Sequence, residues 1–110
     1  MDLSLIVPCY NEAANLPTFF ASATACFDAT EYDYELVFVN DGSSDETTSV
    51  LSRAVESYRA RGGRATVRIL EFSRNFGKEA AMFAGLEQAA GDTIGFIDAD
   101  MQQDPAVALR

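Results

Sequence analysis

With 110 residues, 48% of them hydrophobic and 23% charged, the chain has the composition of one globular domain or part of one, not of a disordered segment. Its 8 basic and 17 acidic residues leave a formal charge of −9, which argues against nucleic acid and anionic membrane surfaces as direct partners. It contains no histidine, so the commonest transition-metal ligand and the commonest general base are both missing.

The first segment, Leu3-Ser4-Leu5-Ile6-Val7, reads as a short strand stopped by Pro8. Asn15 is placed to cap a helix in which Pro17 costs no hydrogen bond. In that helix Leu16, Phe19, Phe20, Ala23 and Phe27 share one face. Glu35-Leu36-Val37-Phe38-Val39 is the second strand. Ser43 and Glu46 then have capping-box spacing ahead of a helix whose apolar face is Val50, Leu51, Ala54, Val55 and Tyr58, with Gly62-Gly63 as its stop.

Val67 to Phe72 is the third strand. A helix from about Lys78 to Ala90 follows, with Met82, Leu86 and Ala89 expected to face inward. Thr93-Ile94-Gly95-Phe96-Ile97 is the fourth strand, leading into Asp98-Ala99-Asp100. Asp104-Pro105 looks like the start of one more helix. Cys9 and Cys26 read as reduced, buried thiols of a cytosolic protein. The N-terminus lacks a signal peptide, and no apolar run reaches the roughly 20 residues that span a bilayer, so the expectation is a soluble, cytoplasmic chain.

Strands alternating with helices of this length argue for βαβ units and a parallel α/β sheet. Ligands on such sheets bind beyond the carboxyl ends of the strands. The polar clusters lie there: Tyr10-Asn11-Glu12, Asn40-Asp41-Gly42, Ser73-Arg74-Asn75, and Asp98 with Asp100. Neither Gly-x-Gly-x-x-Gly nor a Walker sequence occurs, so no glycine-lined helix terminus is offered to a phosphate. The edge offers carboxylates instead, and two of them one residue apart suit a hard divalent cation. A nucleotide diphosphate held through magnesium or manganese fits this arrangement, with Asp41 free to accept from a base N–H or ribose hydroxyls.

Three blocks, Val7-Pro8-Cys9-Tyr10-Asn11-Glu12, Val39-Asn40-Asp41-Gly42-Ser43-Ser44-Asp45 and Asp98-Ala99-Asp100, resemble the signatures of family 2 glycosyltransferases of the GT-A fold. Ser73 to Ala81 and Asp98 to Gln102 are similar to the polyprenyl-phosphate type, the bactoprenol glucosyltransferases and dolichol-phosphate-mannose synthases. An Asp-x-Asp alone is weak, but four blocks in order over residues 3 to about 105 are specific.

The resemblance implies a Rossmann-like, parallel-sheet nucleotide-binding half of a GT-A glycosyltransferase, a single incomplete domain over residues 1–110. It also implies a donor such as UDP-glucose or GDP-mannose. By resemblance Pro8, Tyr10, Glu12 and Asp41 line the nucleoside. Asp98 and Asp100 form the catalytic pair and hold the metal with Gln102. Arg74 and Lys78 approach a phosphate, and Cys9 is packing.

A polyprenyl-phosphate acceptor is already an anionic nucleophile, so in-line attack with inversion needs no strong base and no histidine. The acceptor-binding part, and membrane helices holding the full-length protein at the cytoplasmic face of a membrane, are expected beyond residue 110. On that reading the chain does not complete transfer alone. Two alternatives stand beside it: a family 2 transferase with a sugar or polysaccharide acceptor, and a receiver-like signalling module whose clustered aspartates bind magnesium.

Overall fold

The computed structural model describes residues 1–99. They alternate strand and helix without exception: β1 (Leu3–Cys9), α1 (Leu16–Asp28), β2 (Tyr34–Asn40), α2 (Thr47–Ala60), β3 (Thr66–Glu71), α3 (Lys78–Gln88) and β4 (Thr93–Phe96). Every strand pairing is parallel, and the order across the sheet is β3-β2-β1-β4. This is the Rossmann-like α/β arrangement expected from the pattern. The chain winds outward from β1 to β3, then returns to the other side of β1 for β4, which makes the β1–β4 boundary the topological switch point. A receiver-like sheet runs 2-1-3-4-5, so the strand order removes that alternative.

The core has two layers because the sheet is covered on both faces. Leu5, Val7, Leu36 and Phe38 meet α1 and α2, whereas Ile6, Val37 and Val39 lie under α3. Every residue of β2 is buried, which explains its unbroken apolar run. Phe38 anchors the first layer. Phe20 stacks on it with ring centroids 5.8 Å apart, and Phe19 meets it edge-on at 6.3 Å. The whole expected face of α1 is buried. No helix among the described residues is long and apolar enough to cross a membrane.

Four local expectations are corrected. Pro8 does not stop β1 but pairs with Val39 inside it. Asp41 N–H donates to the Cys9 carbonyl and Ile97 N–H to that of Ile6, so alternate β1 residues bond to opposite neighbours. The donor that Pro8 lacks therefore faces β4, whose ladder has already ended opposite Ile6. Asn15 does not cap α1 with its side chain. Helical hydrogen bonds already start at the Glu12 carbonyl, and the Asn15 amide donates to Glu12 Oε2 at 2.8 Å.

The Ser43–Glu46 capping box does not form either, since Glu46 itself sits at the N-cap and Ser43 Oγ donates to Asn40 Oδ1 at 2.5 Å. Lastly, α3 turns Ala81 and Gly85 to the sheet instead of Met82 and Leu86. The helix lies too close for large side chains: a Cβ on Gly85 would come within 2.5 Å of Ile6 Cγ2. Leu86 is left 41% exposed. Asp104-Pro105 falls outside the described residues.

Candidate functional site

Beyond the carboxyl ends of β1 and β4 the chain forms a cleft of about 440 Å³. Pro8, Tyr10, Glu12, Asp41, Lys78 and Asp98 all line it, joined by Cys9, Asn75, Gly77 and Ala99. Sequence-distant segments therefore converge on one cavity at the switch point. The missing donor of Pro8 and the early end of β4 are what let the two strands part there.

The rim of the cleft is stitched together by the polar residues of the first two loops. Asn11 adopts φ +52°, a left-handed conformation that Asn tolerates. Its backbone N–H donates to Ser43 Oγ at 3.0 Å, and its side-chain oxygen accepts the Ser44 N–H at 2.8 Å. Glu12 N–H donates to Thr47 Oγ1 at 3.0 Å. The Thr47 hydroxyl in turn donates to Asp45, holding that carboxyl below its ordinary range. From the sequence Asn11 and Ser44 were legible only as members of polar or motif blocks, Ser43 only as a capping residue, and Thr47 was not singled out, although turn chemistry at a strand end is the signal that marks such residues.

Asp41 is the deepest of the cleft carboxylates. Its Oδ1 accepts the Phe76 N–H at 2.7 Å, and its Oδ2 accepts the Gly77 N–H at 3.0 Å and Asn75 Nδ2 at 3.1 Å. A carboxylate has about four acceptor positions, so three bonds leave about one, on Oδ1, for a ligand. Gly42 makes this closeness possible. Its φ is +68°, and a Cβ there would lie 2.1 Å from the Arg74 carbonyl carbon. Asn75, which lines the cleft and bonds Asp41, was legible only as part of the third polar cluster.

Asp98 pairs with Lys78, Oδ1 to Nζ at 2.6 Å. Among the described residues, Glu12, Asp41 and Asp98 against the single ammonium of Lys78 give the lining a net negative charge, which favours a cation. Asp98 is a hard oxygen donor that already attracts positive charge, so it fits a divalent ion. Among the described residues no three His, Cys, Asp or Glu side chains form a closed cage. Asp100 and Gln102 lie outside the described residues.

Arg74 finds surroundings other than those expected. Arg74 is exposed and is not part of the cleft lining; its guanidinium sits 4.9 Å from the centroid of the Phe76 ring. Cys9 is packing as expected, buried with its thiol donating to the Val7 carbonyl at 3.4 Å. Burial, and then the Glu12 charge, push that thiol up to about 12. Neither Cys9 nor Cys26 forms a disulfide.

Residues 4–110 match the family described as Glycosyl transferase family 2. The chain belongs to that family. A family relative, the prophage bactoprenol glucosyl transferase homolog of Escherichia coli (strain K12), is 43% identical over 105 residues, covering 96% of this chain and 32% of its own length. The chain thus spans about a third of the relatives it matches.

Among solved structures, S. aureus TarS 1-349 in complex with UDP aligns with a TM-score of 0.72 at 30% identity, over 91% of this chain and 28% of that one. The mannosyltransferase PcManGT from Pyrobaculum calidifontis, in complex with GDP-Man and Mn2+, aligns at 0.71 and 27% identity, over 89% and 27%. The architecture is accordingly that of the GT-A glycosyltransferases, of which the chain is an N-terminal part.

Proposed function

We propose that this chain carries the donor-binding half of a glycosyltransferase that moves a sugar from a nucleotide-diphosphate donor, of the UDP-glucose or GDP-mannose type, to a polyprenyl phosphate with inversion. The observation that carries the reading is the convergence of Pro8, Tyr10, Glu12, Asp41, Lys78 and Asp98 on one cleft at the β1–β4 switch point. The bactoprenol relative at 43% identity supports the lipid-phosphate acceptor, and the nucleotide complexes of the solved relatives support the donor.

Each residue has a physical task. Tyr10, 47% exposed, offers an aromatic surface beside Pro8 for a nucleoside. The remaining acceptor position of Asp41 takes a base N–H or ribose hydroxyl. Lys78 brings a positive charge to an otherwise acidic cleft, where an anionic diphosphate needs one. Asp98 would hold a magnesium or manganese ion together with Asp100 and Gln102. That ion, when bound, would supply charge stabilisation to the departing nucleoside diphosphate. The acceptor is already anionic at neutral pH, and the chain needs no histidine to activate it. In the full-length protein the reaction belongs at the cytoplasmic face of the membrane, where a polyprenyl phosphate resides.

Titration calorimetry of the purified chain with UDP and with GDP, each with and without manganese, tests the reading. The expected result is manganese-dependent binding of one nucleotide, abolished by Asp100→Asn. Metal-independent binding that Asp100→Asn leaves unchanged would overturn the bridging role.

A further inference from the structure

Among the described residues Lys78 is the only basic side chain lining the cleft, and its Nζ is held on Asp98 Oδ1 at 2.6 Å. The other two cleft carboxylates are engaged elsewhere. Asp41 is bound by the Phe76 and Gly77 amides, and Glu12 Oε2 accepts the Asn15 amide. The side chains of Lys78 and Asp98 are 60% and 39% exposed, so their pairing is an open, solvent-screened one. Such pairs are weak enough to exchange partners without loss of the fold.

Resting on the metal-site reading above, we propose that Lys78 is a positioning residue, the resident counter-ion of Asp98, and that a divalent cation must displace its Nζ to bind. The two cations compete for one carboxylate oxygen. An arriving ion therefore returns a free ammonium to the cleft, where it is available to the second anionic group of a diphosphate. The exchange links cation entry to donor binding through a single side chain, whose stem starts at the first residue of α3 and whose partner follows β4.

The competition is measurable with the metal alone. Manganese affinity of the 110-residue chain is read from paramagnetic broadening of the Asp98 and Ala99 amides. Lys78→Met, and Lys78→Gln as a second variant, are expected to bind manganese roughly two- to fivefold tighter than wild type, the range that loss of an exposed ion pair allows. Arg74→Met, which removes an exposed charge outside the cleft lining, is expected to change nothing. Magnesium is expected to shift the Lys78 side-chain Nζ resonance to its position in Asp98→Asn.

Unchanged affinity in both Lys78 variants, or the same gain in Arg74→Met, would overturn the exchange while leaving the metal site standing. Undiminished manganese binding in Asp98→Asn would instead overturn the metal assignment of Asp98, and the exchange with it. An Nζ resonance that magnesium leaves in place would likewise sink the displacement.

Discussion

The carboxylate of Asp41, at the end of β2, accepts the backbone N–H of Gly77, the N-cap of α3, at 3.0 Å. The two residues are separated by a helix and a strand in sequence, yet this bond and the neighbouring one from Phe76 fix where α3 begins. A negative group at a helix N-terminus also complements the dipole of that helix. Asp41 therefore builds the cleft wall as well as lining it, and the same side chain sets the height at which Lys78 enters the site.

Removing this carboxylate tests that structural share. Asp41→Ala leaves the Phe76 and Gly77 N–H groups without their acceptor beside a buried position, while Asn75 Nδ2 keeps its bond to the residue-41 carbonyl at 3.2 Å. Hydrogen bonds to a charged acceptor are worth roughly 1.5–3 kcal/mol each, with strong non-additivity, so the expected loss is about 2–4 kcal/mol. Urea unfolding gives the free energy, and amide exchange at Phe76 and Gly77 should accelerate with it. A loss below about 0.5 kcal/mol would show that the wall stands without Asp41.

What was legible in the sequence follows from how local each signal is. Strand and helix order, the parallel sheet and the gathering of polar clusters at one edge came from periodicity, because apolar spacing reports directly which face is buried. Pro8, Tyr10, Glu12, Asp41, Lys78 and Asp98 were found from strand-end position and family motifs, and the structure brings these six together. The hydrogen bonds that bring them together were not legible. Ser43 looked like a capping residue, but its partners are Asn11 and Asn40, and only the folded β1–β2 register sets the first of these beside it. The face of α3 was misjudged for a related reason, since apolar size pointed to Met82 and Leu86 while the short helix-to-sheet distance demanded Ala81 and Gly85.

Gly85 offers a direct check on that distance. In a helix interior Gly→Ala ordinarily adds up to about 1 kcal/mol of stability. Here the new methyl would meet Ile6 Cγ2 at 2.5 Å and Val39 Cγ2 at 3.3 Å, both on stiff β-branched side chains. Overpacking of this kind costs roughly 1–3 kcal/mol, so the net effect of Gly85→Ala is expected to be destabilising. A rise in the denaturation midpoint would mean that α3 can lift off the sheet freely.

The Cys9 thiol makes stability depend on alkaline pH. Its ordinary value of 9.0 rises to about 12 in the fold, chiefly through burial and secondarily through Glu12. The fold thus binds this proton more tightly than the unfolded chain does. Its contribution is complete below pH 9 and is lost as pH climbs toward 12, at no more than ~1.4 kcal/mol per pH unit. Tyr34 is also pushed up, by burial first and then by its hydrogen bond to Asp28, so it adds a loss that starts above its ordinary 10.0. Unfolding free energies measured from pH 8 to 11 should fall, and Cys9→Ala should remove the part that begins nearest pH 9. An identical pH profile in Cys9→Ala would contradict the assignment.

At the opposite end of the sheet from the cleft, Glu35 is fully buried in β2. Its Oε2 accepts Ser4 Oγ at 2.6 Å and the Ala90 N–H at 2.7 Å, pinning the turn between α3 and β4. Its Oε1 has Arg68 Nε 2.9 Å away but off the hydrogen-bonding angle, and no hydrogen bond among the described residues. Arg68 is therefore the charge partner that keeps this carboxylate tolerable inside the sheet. Breaking a buried pair costs roughly 3–5 kcal/mol, and the partial exposure of Arg68 lowers the expectation for Arg68→Leu to about 2 kcal/mol. Adding Glu35→Gln removes the stranded charge while keeping an oxygen for Ser4 and Ala90, so the double variant should be more stable than Arg68→Leu alone. A double variant that is simply additive with the two single ones would show that the two side chains do not sense each other.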